Sequence, residues 1–334
     1  MFATPQTPGV VYSIVIPVFN EAEVLPVLYG RLNAVMSALG QSCEILFVND
    51  GSSDDSLAQL WNIRAQDPRV KIVSLSRNFG HQIAITAGLD HSSGEAVIVM
   101  DADLQDPPEF IPQLIAKWHA GYDVVFAVRA GRRGESIFKK ATAALFYRLL
   151  DRLTSTEIPL DAGDFRLMSR RAVEALKPIR ERHRFVRGLV GWIGFKHTRV
   201  EYVRDARYAG ETKYPIRKMM RFAMNGIVSF SFLPLQLATY LGFIVSLCSF
   251  GYIVYAIDLK LFTDRAVQGW ASIMVALLFL GGVQLISLGV IGEYIGRIYD
   301  EVKQRPLYLV EASHGFEQAT GEETLPRSEV NVSG

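Results

Sequence analysis

Ala96-Val97-Ile98-Val99-Met100-Asp101-Ala102-Asp103, residues 96–103, is an apolar run that ends on two carboxylates separated by one small residue. A short continuous apolar run with turn residues beyond it reads as a strand covered on both faces, the condition of a parallel sheet between helices. Working outward, apolar runs rich in Val and Ile recur at Tyr12 to Val18, Glu44 to Asn49, Val70 to Leu75, Ala96 to Met100 and Val124 to Val128, with helical patterns between them. This alternation predicts an α/β fold, Rossmann-like, with a mostly parallel sheet and crossover helices. Ligands of such sheets bind beyond the carboxyl ends of the strands.

Polar clusters follow all five runs. Asn20 and Glu21 come after the first, Asp50-Gly51-Ser52-Ser53-Asp54 after the second, Arg77-Asn78-Phe79-Gly80 after the third, Asp101, Asp103 and Gln105 after the fourth, and Arg129 after the fifth. Any one of these is an ordinary turn or helix-cap sequence; five on one rim define a site. Carboxylates at alternate positions of a strand end suit a divalent cation bridging pyrophosphate oxygens, and Gln105 offers a carbonyl ligand. Capping of the helix that starts near Pro107 is the plainer reading of the same pair.

Two stretches carry no charge, Phe222 to Ile257 and Ala266 to Gly292. Each exceeds the ~20 residues that cross a hydrocarbon core, so two transmembrane helices joined by a short turn are expected. Two buried helices of a large soluble core are the alternative. Lys213, Arg217, Lys218 and Arg221 precede the first stretch, and Arg297, Lys303 and Arg305 follow the second. Their placement puts both termini in the cytoplasm, and Met1 to Gly9 lacks the features of a secretory signal.

The formal net charge of +1 hides basic clusters at Arg129 to Arg152 and Arg180 to Arg221, which point to phosphates or anionic lipid. Ile137, Ala141, Leu145 and Leu149 have amphipathic helical spacing opened by Lys139 and Lys140, and Ile216, Met220, Ala223 and Ile227 form a second such face. Cys43 and Cys248 read as apolar filler, and the six histidines show no close metal pairing in the chain. The Gly-, Glu- and Ser-containing end reads as a disordered tail.

Ile16-Pro17-Val18-Phe19-Asn20-Glu21, Asn49 to Asp54, Arg77 to Gly80, Asp101 to Pro108 and Gly292-Glu293-Tyr294-Ile295-Gly296-Arg297, with the paired apolar stretches, resemble the family 2 glycosyltransferases of the GT-A fold that act on polyprenyl phosphates. Dolichol-phosphate mannose synthase is in that group. Asp161 to Leu167 and Phe185 to Leu189 look most like the bacterial bactoprenol glucosyltransferases. The resemblance implies inverting transfer of glucose from UDP-glucose to undecaprenyl phosphate at the bacterial inner membrane, with Mg²⁺ or Mn²⁺ as cofactor. It implies that Pro17, Phe19, Glu21, Asp50, Arg77, Asp101 and Ala102 surround the nucleotide, with Asp50 accepting the imino proton of the base, and that Asp101, Asp103 and Gln105 hold the metal. Asp164 is placed nearest the sugar, as a catalytic group beside Asp103 and Arg129, its alternative being a turn residue before a short strand. Arg207 and Lys213 flank an acceptor-like loop, and with Arg129, and more weakly Lys139 and Lys140, they are expected to meet the lipid phosphate.

The expected organisation is an extension (1–10), a cytoplasmic GT-A catalytic domain (11–212) with an amphipathic helix at about 137–153, and a juxtamembrane amphipathic helix (213–231). Transmembrane helices at 232–257 and 270–292 flank an extracytoplasmic loop (258–269), followed by a cytoplasmic helix end (293–310) and a disordered tail (311–334). Gly281-Gly282 and Gly289 suit close helix packing, so a homo-oligomer is expected; no nucleic-acid partner is. Rival readings are a UDP-N-acetylhexosamine, UDP-formamido-arabinose or GDP-mannose donor, and a non-catalytic scaffold or flippase component. A processive polysaccharide synthase would need a Gln-x-x-Arg-Trp motif, which the chain lacks.

Overall fold

The computed structural model describes residues 9–129, 162–182, 184–202, 233–262 and 269–316. The chain divides into two compact units, which among these residues are 9–112 with 308–316, and 113–202 with 233–307.

In the first unit, β1 (Tyr12–Val18), β2 (Cys43–Asn49), β3 (Val70–Leu75) and β4 (Ala96–Val99) are all parallel, in the order β4-β1-β2-β3. Every residue of β1 and β2 is buried, as expected of strands covered on both faces. The connections are α1 (Leu25–Leu39), α2 (Ser56–Gln66) and α3 (His81–His91). On α1 the buried positions are Leu25, Leu28, Leu32 and Met36, spaced so that one stripe turns inward. α3 lies so close to the sheet that a Cβ on Gly88 would come 2.2 Å from Val15 Cγ1.

The fifth strand of this unit was not legible. β8 (Val310–His314) pairs antiparallel with β3, matching Ile72 with His314 and Ser74 with Ala312. The disordered tail expected from residue 311 therefore gives way over 311–316. The segment carries few apolar residues because it covers an edge, and it is fixed by pairing and by local contacts: Tyr308 Oη donates to Asp90 Oδ2 at 2.8 Å, and Trp61 meets the His314 ring edge-on at 4.0 Å.

In the second unit, α4 (Ile111–His119), which begins at the boundary, leads to β5 (Val124–Arg129). β5 pairs antiparallel with β6 (Ala162–Ser169) and parallel with β7 (His197–Tyr202). Ser169 caps α5 (Arg170–Leu176), its Oγ accepting the Ala172 N–H and donating to Asp123 Oδ1. α6 (Val186–Trp192) follows.

Two long helices complete this unit: α7 (Leu233–Phe262, 30 residues) and α8 (Trp270–Val302, 33 residues). At 1.5 Å per residue each is roughly 45–50 Å long, more than a hydrocarbon core. They pack on one another, with Gly242 and Val245 of α7 and Val283, Gln284 and Ser287 of α8 lining a shared cleft. α8 runs on through residue 292, the expected end of the span, into the stretch expected as a helix end, and stops at Val302; its long apolar stretch is Phe279–Val302. That stretch is the single one in the described residues long and apolar enough to cross a membrane; the apolar part of α7 is the shorter Ala238–Tyr252. Neither helix is a buried core helix. Phe243, Phe250, Leu285 and Leu288 are all more than 60 % exposed, an apolar surface that water would not tolerate uncovered.

Candidate active site

The residues after β1, β2, β3 and β4 converge at the carboxyl edge of the first unit's sheet, and their hydrogen bonds explain the sequence of each loop. Asn20 adopts φ 57°, an uncommon conformation outside glycine. Its N–H donates to Ser52 Oγ at 3.1 Å and its Oδ1 accepts the Ser53 N–H at 2.8 Å. Glu21 N–H donates to Ser56 Oγ at 2.8 Å, and Ala22 N–H to Asp54 Oδ2 at 3.2 Å. The Ser52-Ser53-Asp54 run thus ties the first two rim loops together, a role the sequence reading did not assign. Asn49, buried at the end of β2, turns the chain by accepting the Ser52 N–H and donating to Ser74 Oγ.

Asp50 is 2 % exposed, and its two carboxylate oxygens accept the N–H groups of Phe79 at 2.7 Å and Gly80 at 2.9 Å. Burial pushes its carboxyl above the ordinary range, against the pull of those two hydrogen bonds and of His81 and Arg77. In the structure Asp50 holds the third rim loop. Gly51 beside it has φ +66°, and a Cβ there would lie 2.4 Å from the Arg77 carbonyl carbon, so only glycine allows the two loops to meet. Arg77 is exposed and stacks on Phe79, its guanidinium 4.0 Å from the ring centre. Phe19 is 46 % exposed beyond β1, whereas Pro17 is buried within the strand.

At the end of β4, Ala102 and Asp103 are buried and Asp101 is half-buried. Asp103 Oδ1 accepts the Gln105 N–H at 3.1 Å, and Leu104 between them is left-handed at φ 60°. Among the described residues Asp101 Oδ1, a buried oxygen, accepts no hydrogen bond, an arrangement costly for a carboxylate unless a cation meets it. Carboxylates at a strand end are the donor type that suits a hard divalent ion. His81, the first residue of α3, belongs to no motif in the sequence, yet its Nε2 lies 3.3 Å from Asp101 Oδ1. Separation in the chain concealed the pair; the crossover from β3 through α3 to β4 makes it.

In the second unit, Asp164 stands inside β6 and not in a turn ahead of a short strand. It is 3 % exposed, and two guanidinium groups neutralise it: Arg166 donates to Oδ1 at 2.7 Å, and Arg187 Nη2 donates to Oδ2 at 2.9 Å. Arg187 comes from the Phe185 to Leu189 motif, so the two segments singled out in the sequence meet around one carboxylate. Arg129 ends β5, but its side chain lies outside the described residues, as do Lys139, Lys140, Arg207 and Lys213 and both expected amphipathic helices.

An acidic, loop-built rim at the carboxyl edge of a parallel sheet defines an α/β enzyme that takes a nucleotide. The chain matches Glycosyl transferase family 2 over residues 13–177 and the GtrB C-terminal hairpin over residues 233–298, the latter covering α7 and most of α8. It is 56 % identical over 306 residues to an uncharacterised glycosyltransferase, YkcC, of Bacillus subtilis (strain 168), covering 92 % of this chain and 95 % of that one. It is 46 % identical over 302 residues to the SfII prophage-derived bactoprenol glucosyl transferase of Shigella flexneri, covering 90 % and 98 %. A solved structure of glucosyl-3-phosphoglycerate synthase from Mycobacterium tuberculosis with Mn²⁺ and UDP-glucose superposes with a TM-score of 0.42 at 20 % identity, covering 64 % of this chain and 75 % of that one. The chain belongs to glycosyl transferase family 2, and it is a glycosyltransferase.

Proposed function

We propose that the chain transfers glucose from UDP-glucose to the phosphate of a membrane polyprenol, undecaprenyl phosphate, with inversion at the anomeric carbon. The observation that carries this reading is the 46 % identity, over 90 % of the chain, to a protein named for bactoprenol glucosyl transfer. A phosphate oxygen of the acceptor attacks the anomeric carbon, the bond from that carbon to the β-phosphate oxygen breaks, and its electron pair leaves on UDP. A phosphate monoester is mostly dianionic at pH 7, its second pKa being about 6, so no strong base is needed. Asp164 fits that economy. Held by Arg166 and Arg187, it is better suited to orient the sugar or to face developing positive charge than to take a proton.

Asp101 and Asp103, with Gln105 beyond them, would hold Mg²⁺ or Mn²⁺, whose chemistry there is to neutralise the departing diphosphate. Asp50 fixes the Phe79-Gly80 turn, and with Pro17, Phe19, Glu21, Arg77 and Ala102 it belongs to the pocket for the nucleotide. Arg129, Arg207 and Lys213, helped by Lys139 and Lys140, bring the acceptor phosphate to the site by charge and bidentate hydrogen bonding.

α7 and α8 form a two-helix transmembrane hairpin with both termini and the catalytic domain on the cytoplasmic side. The apolar exposure of both helices and the basic residues flanking them support this reading. Gly281, Gly282 and Gly289 are the positions at which copies would pack in a homo-oligomer. The donor is tested by offering the detergent-purified protein undecaprenyl phosphate with UDP-glucose, UDP-N-acetylhexosamines, UDP-formamido-arabinose or GDP-mannose. Lipid product from UDP-glucose alone is expected; preference for another donor would overturn the glucose assignment.

A further inference from the structure

His81 occupies a position that the nucleotide chemistry so far described does not use. Three observations, all within the first unit, converge on it. Its backbone is fixed, because Asp50 clamps the N–H groups of the two residues before it and Gly80 O accepts the Ile83 and Ala84 N–H groups that open α3. Its imidazole is 45 % exposed, so an ion from solvent can reach it. Its Nε2 stands 3.3 Å from Asp101 Oδ1, a buried oxygen that accepts no hydrogen bond from the described residues.

An imidazole nitrogen and a carboxylate oxygen 3.3 Å apart are spaced as two ligands of one shared cation. Around an octahedral ion with ligand bonds of about 2.1 Å, neighbouring ligand atoms are roughly 3 Å apart, close to the separation found. We infer that His81 is a nitrogen ligand of the divalent cation held by Asp101 and Asp103. This rests on the metal-dependent reading above and adds a selectivity to it. Carboxylate and amide oxygens alone accept Mg²⁺ and Mn²⁺ alike, whereas an imidazole favours the transition ion. The site is therefore tuned toward Mn²⁺ over Mg²⁺.

The test needs no turnover. The full-length protein in detergent is titrated with Mn²⁺, and then with Mg²⁺ in competition, in the presence of UDP. The bound Mn²⁺ is examined by electron spin-echo spectroscopy for coupling to a directly bonded ¹⁴N. In the unmodified protein the nitrogen coupling is expected; in His81→Ala it disappears and Mn²⁺ affinity falls about tenfold or more, while Mg²⁺ affinity changes less. His81→Gln, which offers an oxygen in place of nitrogen, should retain an ion but lose both the coupling and the preference for Mn²⁺. If Mn²⁺ binds in an Asp103-dependent way without nitrogen coupling, or with coupling that survives His81→Ala, the ligand assignment is overturned while the metal-dependent reading stands. If the unmodified protein binds no Mn²⁺ even with UDP, both fall.

Discussion

Gly51 at the rim and Glu44 at the opposite end of β2 show how single positions hold the sheet and its loops together, and each makes a test. Gly51→Ala must place a Cβ 2.4 Å from the Arg77 carbonyl carbon at a φ of +66°. A left-handed non-glycine residue alone costs about 1–2 kcal/mol, and the clash adds to it. A lower denaturation midpoint and weaker UDP binding by calorimetry are expected; an unchanged protein would contradict the loop contact. Glu44 lies at the other end of β2, 1 % exposed, accepting hydrogen bonds from Ser13 Oγ, from Ser93 N–H and Oγ, and from Lys71 Nζ at 2.6 Å. Burial alone would push its carboxyl up, but these partners outweigh it and hold it below the ordinary range. Since the folded value is the lower one, the stabilisation is complete above the unfolded carboxylate range and is lost as pH falls through the folded value. Glu44→Gln removes the charge that faces Lys71, and a loss of about 1–3 kcal/mol is expected near neutral pH, shrinking in acid. Equal losses at pH 7 and pH 3 in urea titrations would contradict the assignment.

At the scale of elements, the sequence was most informative where burial is two-sided. The five apolar runs were found within a residue or so of β1 to β5, because a strand covered on both faces must be apolar throughout. β6, β7 and β8 were not found. β7 alternates exposed and half-buried positions, and β8 is an edge that mixes Glu311 and Ser313 with Val310, so neither has a signature beyond its pairing partners. The same limit explains the site: rim carboxylates are legible as strand-end motifs, whereas His81 beside Asp101 and Arg187 on Asp164 are products of topology. β8 caps β3, whose edge would otherwise offer unpaired backbone groups to another chain. Ending the chain at residue 307 is expected to lower the thermal midpoint and to raise light scattering on heating. Unchanged unfolding and solubility would mean that the strand is dispensable.

For the whole molecule, a parallel sheet with an acidic rim and a long apolar helix pair in one chain suit the proposed reaction, whose donor is soluble and whose acceptor never leaves the bilayer. The exposed apolar faces of α7 and α8 lead to the expectation that the protein stays with membranes through alkaline carbonate washing; release into the supernatant would contradict a spanning hairpin. Chelation of divalent ions should abolish transfer, and Asp103→Asn should lower kcat by about two orders of magnitude or more while leaving the thermal midpoint nearly unchanged. The most direct measurement is the structure of the lipid made from ¹³C-labelled UDP-glucose and undecaprenyl phosphate. Nuclear magnetic resonance of the anomeric position should show glucose joined through phosphate to the polyprenol in the β configuration, with one UDP released per lipid and no product from Asp103→Asn. UDP released without a glucosylated lipid, or an α-linked product, would contradict inverting transfer to the polyprenyl phosphate.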